Sequence, residues 1–220
     1  MDREEMFERL RRVDPAALAD ANKQLRVVSP EIRPLRSGLQ LLGPAYTVRC
    51  EEDYLAVIAA LEDAQPGDVL VIDTRGSRAA VVGELFSLEA ARSRLGGIVI
   101  DGACRDISTI TTLDLPVYAR SVTPVSGAAK ALGERQIKVV CGGVDVYPGD
   151  IVFGDDDGIV VVSPGELPEL LMRAEEIKRI EEVVVEKLAE GTSLLSLLNY
   201  SQHRDRIEAG DRSTTLEFVF

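Results

Sequence analysis

Residues Gly83 to Asp106, GELFSLEAARSRLGGIVIDGACRD, decide how this 220-residue chain is organised. Gly83-Glu84 opens a run with helical spacing, Glu84–Leu95, which Gly96-Gly97 would end as a left-handed cap. The strand that follows, Gly97–Asp101, is apolar from Ile98 to Ile100, as a strand covered on both faces must be. A turn then ends in Arg105-Asp106. One acid and an Arg-Asp pair therefore fall in two turns at the same end of a βαβ-type unit. Open α/β layers bind ligands in such turns, beyond the carboxyl ends of the strands.

Upstream, residues 2–12 alternate charged and apolar side chains at helical spacing. Asp14-Pro15 offers an N-cap and first-turn proline for a short helix, Ala16–Lys23. Ser29–Gly43, with Pro30, Pro34 and Gly38, reads as an extended entry to a strand Pro44–Cys50. Ala56–Asp63 predicts a helix, Pro66-Gly67-Asp68 a turn, Val69–Asp73 an apolar strand and Gly76–Ala80 a small-residue loop. Downstream, Asp106–Leu113 predicts a short helix and Pro116–Ala119 another strand.

From Ile137 the rhythm changes to short strands, Ile137–Cys141, Gly143–Val146, Ile151–Phe153 and Gly158–Ser163. Gly-Gly, Pro-Gly-Asp and Asp-Asp-Gly break them, the signature of hairpins rather than crossovers. A long helix, Glu166–Glu190, closes the fold and ends at Gly191. The polar residues from Tyr200 onward finish in TTLEFVF, either a subunit-exchanged strand or a frayed tail. The fold class is α/β with mixed layers of sheet and helix, one domain over residues 1–199 and a tail over 200–220.

Composition narrows the function. A net charge of −12 without a compensating basic stripe argues against nucleic acid. The charged start MDREEMFERLRR has no apolar signal region, and no long apolar run spans a membrane. Cys50, Cys104 and Cys141 are odd in number and lack CxxC spacing, which suits reduced thiols in the cytoplasm. His203, in the tail, is the single histidine, so histidine-based triads and the usual zinc sites are excluded. Any metal must sit on carboxylates, carbonyls and water, the ligand set of Mg²⁺ or Mn²⁺. A Schiff-base mechanism needs an enclosed lysine. Neither Lys130, in a Gly/Ala-rich loop, nor Lys138, at a strand start, has an apolar enclosure.

Arg105-Asp106 directly follows a buried strand, where a charged dipeptide has no packing role; alternatively Asp106 caps the next helix and Arg105 pairs with a surface acid. Glu84 suits the helix dipole, while Gly83 before it would let a ligand approach free N–H groups. Asp101 ends its strand as a supporting acid or as partner to a turn amide, and Arg75 stands at the matching end of the preceding strand. Asp155-Asp156-Asp157-Gly158 looks like a calcium loop in miniature but reads first as a hairpin turn. Along the last helix Leu170, Ala174, Ile177, Val184 and Leu188 form an apolar stripe broken by Glu181. A carboxylate there needs a partner, unless it snorkels to the rim of a subunit contact. Glu182 falls on the polar side.

GELF and GIVIDGACRD, then LPVYARSVTP, CGGVDVYPGDIVFGDDDGIVVV and GTSLLSLL resemble the RraA-like family over roughly residues 15–198. The family includes 4-hydroxy-4-methyl-2-oxoglutarate/4-carboxy-4-hydroxy-2-oxoadipate aldolases with oxaloacetate decarboxylase activity. The resemblance implies a β/β/α fold like the swivelling phosphohistidine domain, assembled as trimers or dimers of trimers. It implies a class II pyruvate aldolase using Mg²⁺ (or Mn²⁺) on a small 2-keto acid. Asp106 would bind the metal and Arg105 the pyruvyl oxygens. Gly83-Glu84-Leu85-Phe86 matches the family's Gly-Asp/Glu-Leu-Leu turn, whose acid holds water on the metal and whose N–H groups bind the pyruvate carboxylate. A glutamate from a neighbouring terminal helix, Glu181 or Glu182, would complete the site. Phe86 departs from the usual leucine. The ribonuclease-inhibitor branch lacks the aspartate of the Arg-Asp pair, which this chain keeps. A non-catalytic regulator acting by protein binding, and an aldolase for a sugar-derived keto acid, are the alternatives.

Overall fold

The computed structural model describes residues 3–220. Its elements are α1 (Arg3–Leu10), α2 (Pro15–Ala21), β1 (Arg26–Val27), β2 (Arg33–Pro34), β3 (Leu41–Arg49), α3 (Leu55–Asp63) and β4 (Val69–Asp73). Then come β5 (Ala80–Val82), α4 (Glu84–Arg92), β6 (Gly97–Cys104), α5 (Ile107–Ile110), β7 (Val117–Val122), β8 (Glu134–Arg135), β9 (Val139–Cys141) and β10 (Val144–Val146). Last are β11 (Ile151–Gly154), β12 (Ile159–Val162), α6 (Leu167–Ala189), a 3₁₀ turn Leu194–Leu197 and α7 (Tyr200–Glu208). Two compact units result, one running to Ala174 and the other comprising Glu175–Phe220.

The first unit is organised by a ten-stranded sheet, eight strands ordered β1-β12-β11-β3-β4-β6-β7-β2, with β5 pairing with β6 and β8 with β3 off this path. Its centre, β3-β4-β6-β7, is parallel, with Ala45 opposite Val69 and Val69 opposite Gly97. β11 and β12 extend the β3 side as an antiparallel hairpin. Alternation along the parallel strands sorts side chains to two faces. Tyr46, Val48, Leu70, Ile72, Ile98 and Ile100 pack with residues of α3 and α4, whereas Ala45, Val69, Val71 and Val99 pack with Val139, Cys141 and Val146 of the β9-β10 hairpin. Helix, sheet and hairpin thus form the expected β/β/α layers. Both faces of the central strands are covered, which accounts for their apolar runs.

Local signals hold in most places. Asp14 caps α2, accepting from the Ala17 N–H at 2.7 Å, with Pro15 in the first turn. The helical pattern over residues 2–12 forms α1 from Arg3, and residue 2 lies outside the described residues. Three of the boundary differences bear on the packing and the site. Residues Leu41–Gly43, expected in the entry segment, already belong to β3, because Leu41–Pro44 pair with β11. α4 ends at Arg92, and Arg94 rather than a glycine adopts the left-handed conformation, φ 56°. Gly96 answers to space instead, since a Cβ there would sit 2.6 Å from the Leu42 carbonyl oxygen, while Gly97 answers to both conformation and space, with φ 148° and a Cβ that would sit 2.3 Å from Leu41 Cδ1. The third shift, in β5, shapes the site.

In the second unit Tyr200–Glu208, read from the sequence as the start of a polar tail, forms α7. This helix buries no residue and is stabilised by charged pairs such as Arg204–Glu208 at 3.7 Å. The segment after it folds back, Phe218 bridging Leu198 and Asn199 accepting from the Glu217 N–H at 2.9 Å. Among the described residues no helix is long and apolar enough to cross a membrane.

Candidate active site at the carboxyl ends of two parallel strands

Ala80–Val82, assigned to the small-residue loop at Ala80, is a strand. β5 runs parallel to the last part of β6, with Ala80 opposite Ala103 and Val82 opposite Cys104. β6 itself continues past Asp101 to Cys104 through a register shift. That pairing lays the turn after β5, Gly83-Glu84, beside the turn after β6, Arg105-Asp106. The Arg105 N–H donates to the Val82 carbonyl at 3.1 Å.

Asp106 occupies the N-cap position of α5 without capping it. Its backbone is left-handed, φ 57° and ψ 36°, a conformation an aspartate tolerates but does not favour. This rotation carries the carboxylate to α4, where Oδ2 accepts from the Glu84 N–H at 3.1 Å and lies 3.4 Å from Arg105 Nε. The Glu84 carboxylate in turn accepts from Thr109 Oγ1 at 2.9 Å. Thr109, on α5, carried no signal in the sequence: its role follows from α5 packing beside α4.

Gly83 caps α4 with an extended backbone, φ −148°. A Cβ there would sit 2.5 Å from Asp106 Oδ2 and 3.0 Å from Arg105 Cγ. The glycine makes room for the Arg-Asp turn itself. With the Glu84 N–H taken by Asp106, the N–H groups of Leu85 and Phe86 have no acceptor among the described residues. They are the free donors of this helix start.

These residues line one cavity of about 170 Å³, with Tyr54, Ile58, Ala80–Val82 and Ser126 completing it. That is below the roughly 300–1,000 Å³ of drug-sized sites and suits a small acid. Tyr54 and Phe86 meet edge to face, ring centroids 5.6 Å apart. The loop carrying Ser126 is held by Asp53, whose carboxylate accepts from the N–H groups of Leu55, Lys130 and Ala131 at 2.9, 2.6 and 3.0 Å. Burial alone would raise the Asp53 carboxyl; these three donors outweigh it and hold it below the ordinary aspartate value.

Other acids serve the scaffold. Asp101 accepts from Arg120 Nε and from the Gly142 N–H, both at 2.7 Å, the turn-amide role. Arg75 is not among the residues lining the cavity. Asp155 accepts from the Asp157 N–H at 3.0 Å within the hairpin turn, and Asp156 accepts from the distant Gly38 N–H at 3.0 Å. In the second unit Glu181 is half-exposed rather than buried, with Lys178 Nζ 2.8 Å from its carboxylate, while Glu182 is exposed. Among the described residues no three His, Cys, Asp or Glu side chains gather as a metal cage. Asp106 offers a half-exposed carboxylate whose Oδ1 accepts no hydrogen bond among the described residues.

The RraA-like family model (aldolase/RraA) matches residues 15–161. A Halalkalibacterium halodurans protein provisionally named 4-hydroxy-4-methyl-2-oxoglutarate aldolase is 35% identical, covering 74% of this chain and 79% of its own. An Alkalilimnicola ehrlichii protein with the same provisional name is 36% identical, covering 64% and 89%. A Streptomyces coelicolor structure, described as an unusual member of the RNase ES inhibitor RraA family, is 31% identical with a TM-score of 0.74 over 84% of this chain and 96% of that one. From its β/β/α layers to the Arg-Asp turn, the chain belongs to the RraA-like family.

Proposed function

We propose that the protein is a divalent-metal-dependent class II aldolase. It cleaves a 4-hydroxy-2-keto acid of the 4-hydroxy-4-methyl-2-oxoglutarate type to pyruvate and decarboxylates oxaloacetate at the same site. One observation carries the reading: Asp106 leaves its own helix to meet the start of α4, bringing an arginine, two carboxylates and two free N–H groups to one cavity. The names of the two bacterial relatives support the same chemistry.

The donor set suits Mg²⁺ or Mn²⁺, since Mg²⁺ takes one or two protein carboxylates and keeps several waters. Held by Asp106, the ion would supply Lewis-acid polarisation of the keto acid's carbonyl and carboxylate. The chain's own groups do the rest. The Leu85 and Phe86 N–H groups bind the substrate carboxylate. Glu84, steadied by Thr109, takes the 4-hydroxyl proton through a water, so that C4 becomes a carbonyl. The C3–C4 electron pair passes to C3 and the keto oxygen, and the charge that develops there faces the Arg105 guanidinium. Protonation at C3 yields pyruvate. Oxaloacetate loses CO₂ through the same charge distribution and needs no proton acceptor. The proposal extends to a homotrimer or dimer of trimers in which the partner subunit's Glu181, or the partner subunit's Glu182, completes the site.

The test is pyruvate release from oxaloacetate and from 4-hydroxy-4-methyl-2-oxoglutarate, with Mg²⁺ and with EDTA. Asp106→Ala and Arg105→Ala should each lower both activities by about 100-fold or more while the oligomer persists. Full activity in either variant, or indifference to EDTA, removes the mechanism. The likeness to the Streptomyces inhibitor-family structure favours a second reading, a non-catalytic regulator acting by protein binding. Absence of metal-dependent pyruvate would decide for it.

A further inference from the structure

Residues 216–220, LEFVF, form an extended segment with one edge paired and the other open. Leu198 and Phe218 face each other in an antiparallel bridge. On either side of it the Asn199 N–H donates to the Glu217 carbonyl at 3.1 Å and the Val219 N–H to the Leu197 carbonyl at 2.8 Å. Glu217 and Val219 thus turn their backbone groups inward, and alternation turns those of Leu216, Phe218 and Phe220 outward. Among the described residues the N–H and carbonyl of Phe218, the Leu216 carbonyl and the Phe220 N–H have no hydrogen-bond partner. The same three side chains share one face by alternation. The Phe218 and Phe220 ring centroids lie 6.2 Å apart, and Leu216, Phe218 and Phe220 are 50%, 41% and 60% exposed.

We propose that this open edge pairs with the same edge of a second copy of the chain, antiparallel about a twofold axis at Phe218. Each Phe218 N–H then donates to the partner subunit's Phe218 carbonyl, and each Phe220 N–H to the partner subunit's Leu216 carbonyl. Leu216 meets Phe220 and Phe218 meets its own copy, so one apolar row crosses the axis. Glu217, the charged residue of the segment, stands opposite Val219 rather than its own copy, and no like charges oppose each other. An exposed apolar edge is a template for another strand, and this one is its own complement. Exposed Leu194 and Leu195, in the turn that leads to Leu198, extend the apolar surface. Together these residues offer roughly 500 Å² per copy and about 1,000 Å² for the pair, the size at which a specific interface begins. The segment lies beyond residues 15–161 of the family match, and the pairing is independent of the aldolase reading. Added to a threefold assembly, it produces a dimer of trimers.

Two full-length variants test the register and the edge. At the twofold the two copies of residue 218 stand about 5.5 Å apart, within disulfide reach, whereas the two copies of residue 216 stand about 13 Å apart along the strands. Phe218→Cys, treated with diamide, should therefore yield a covalent dimer on a non-reducing gel, and Leu216→Cys should not. The three native cysteines are buried and give no background. Phe218→Pro removes the outward N–H but keeps the Glu217 carbonyl and Val219 N–H that hold the inner edge. Its native mass by light scattering should be half that of the parent, with circular dichroism and oxaloacetate decarboxylation unchanged. No dimer with Phe218→Cys, equal cross-linking with Leu216→Cys, or an unchanged native mass in Phe218→Pro overturns the pairing. Pairing with a different protein would give the same negative results.

Discussion

Gly83 shows how a residue's identity can be set by space rather than by conformation. Its backbone is open to any amino acid, yet a methyl group would stand 2.5 Å from Asp106 Oδ2. Gly83→Ala should therefore push the carboxylate off the Glu84 N–H. Misplacement on that scale costs catalysis on the order of 100-fold. Oxaloacetate decarboxylation should fall accordingly, with circular dichroism and oligomer size unchanged. Thr109 acts one step further out, through its 2.9 Å bond to Glu84. Thr109→Val keeps the shape of the side chain and removes the donor. Supporting bonds of this kind are worth about 10- to 100-fold in activity. The loss should appear in kcat for aldol cleavage and spare decarboxylation, which needs no proton acceptor. Equal losses in both reactions would instead mark Thr109 as merely structural.

At the scale of elements, β5 is the piece that assembles the site. Three residues pairing with Ala103 and Cys104 suffice to align two turns separated by more than twenty residues of chain. The loop on the other side of the cavity is tied to Ala80 and Asp53 by two isolated bridges, and the Asp53 carboxylate fastens its far end. The folded Asp53 carboxyl is held below the ordinary value, so its contribution to stability is complete above that value. It is lost as pH falls through the lowered one. Asp53→Asn should lower the urea midpoint at neutral pH and flatten the acid limb of the stability profile, the difference between variant and parent shrinking as pH drops. A constant difference down to the acid transition would show that the carboxylate's charge is not what holds the loop. The strand β5 could be anticipated only weakly, since Ala80-Val81-Val82 is short and borders a small-residue loop.

Across the whole molecule, the three cysteines report on the layers. All are buried, Cys104 and Cys141 completely. Burial pushes the Cys50 thiol up to about 12 and the Cys104 thiol up to about 11, and raises Cys141 as well. A thiol-specific reagent at pH 8 should therefore find none of them in the native protein and all three after unfolding in urea. Rapid reaction of even one native thiol would contradict the packing between sheet and hairpin or between sheet and helices. Because the folded values are raised, this contribution to stability is complete below the ordinary thiol value of about 9 and is lost as pH rises through 11 to 12. Alkaline denaturation should begin in that window.

Hydrophobic runs, proline and glycine punctuation and the Arg-Asp dipeptide were enough to anticipate the layers, the helix starts and the residues that gather at the site. Those signals are local: period, capping and turn chemistry act within a few residues of where they are written. Tertiary packing alone decided the left-handed turn at Asp106, the Thr109–Glu84 bond and the crowding at Gly83. Each depends on atoms brought together from distant parts of the chain, and no local pattern in the sequence encodes that distance.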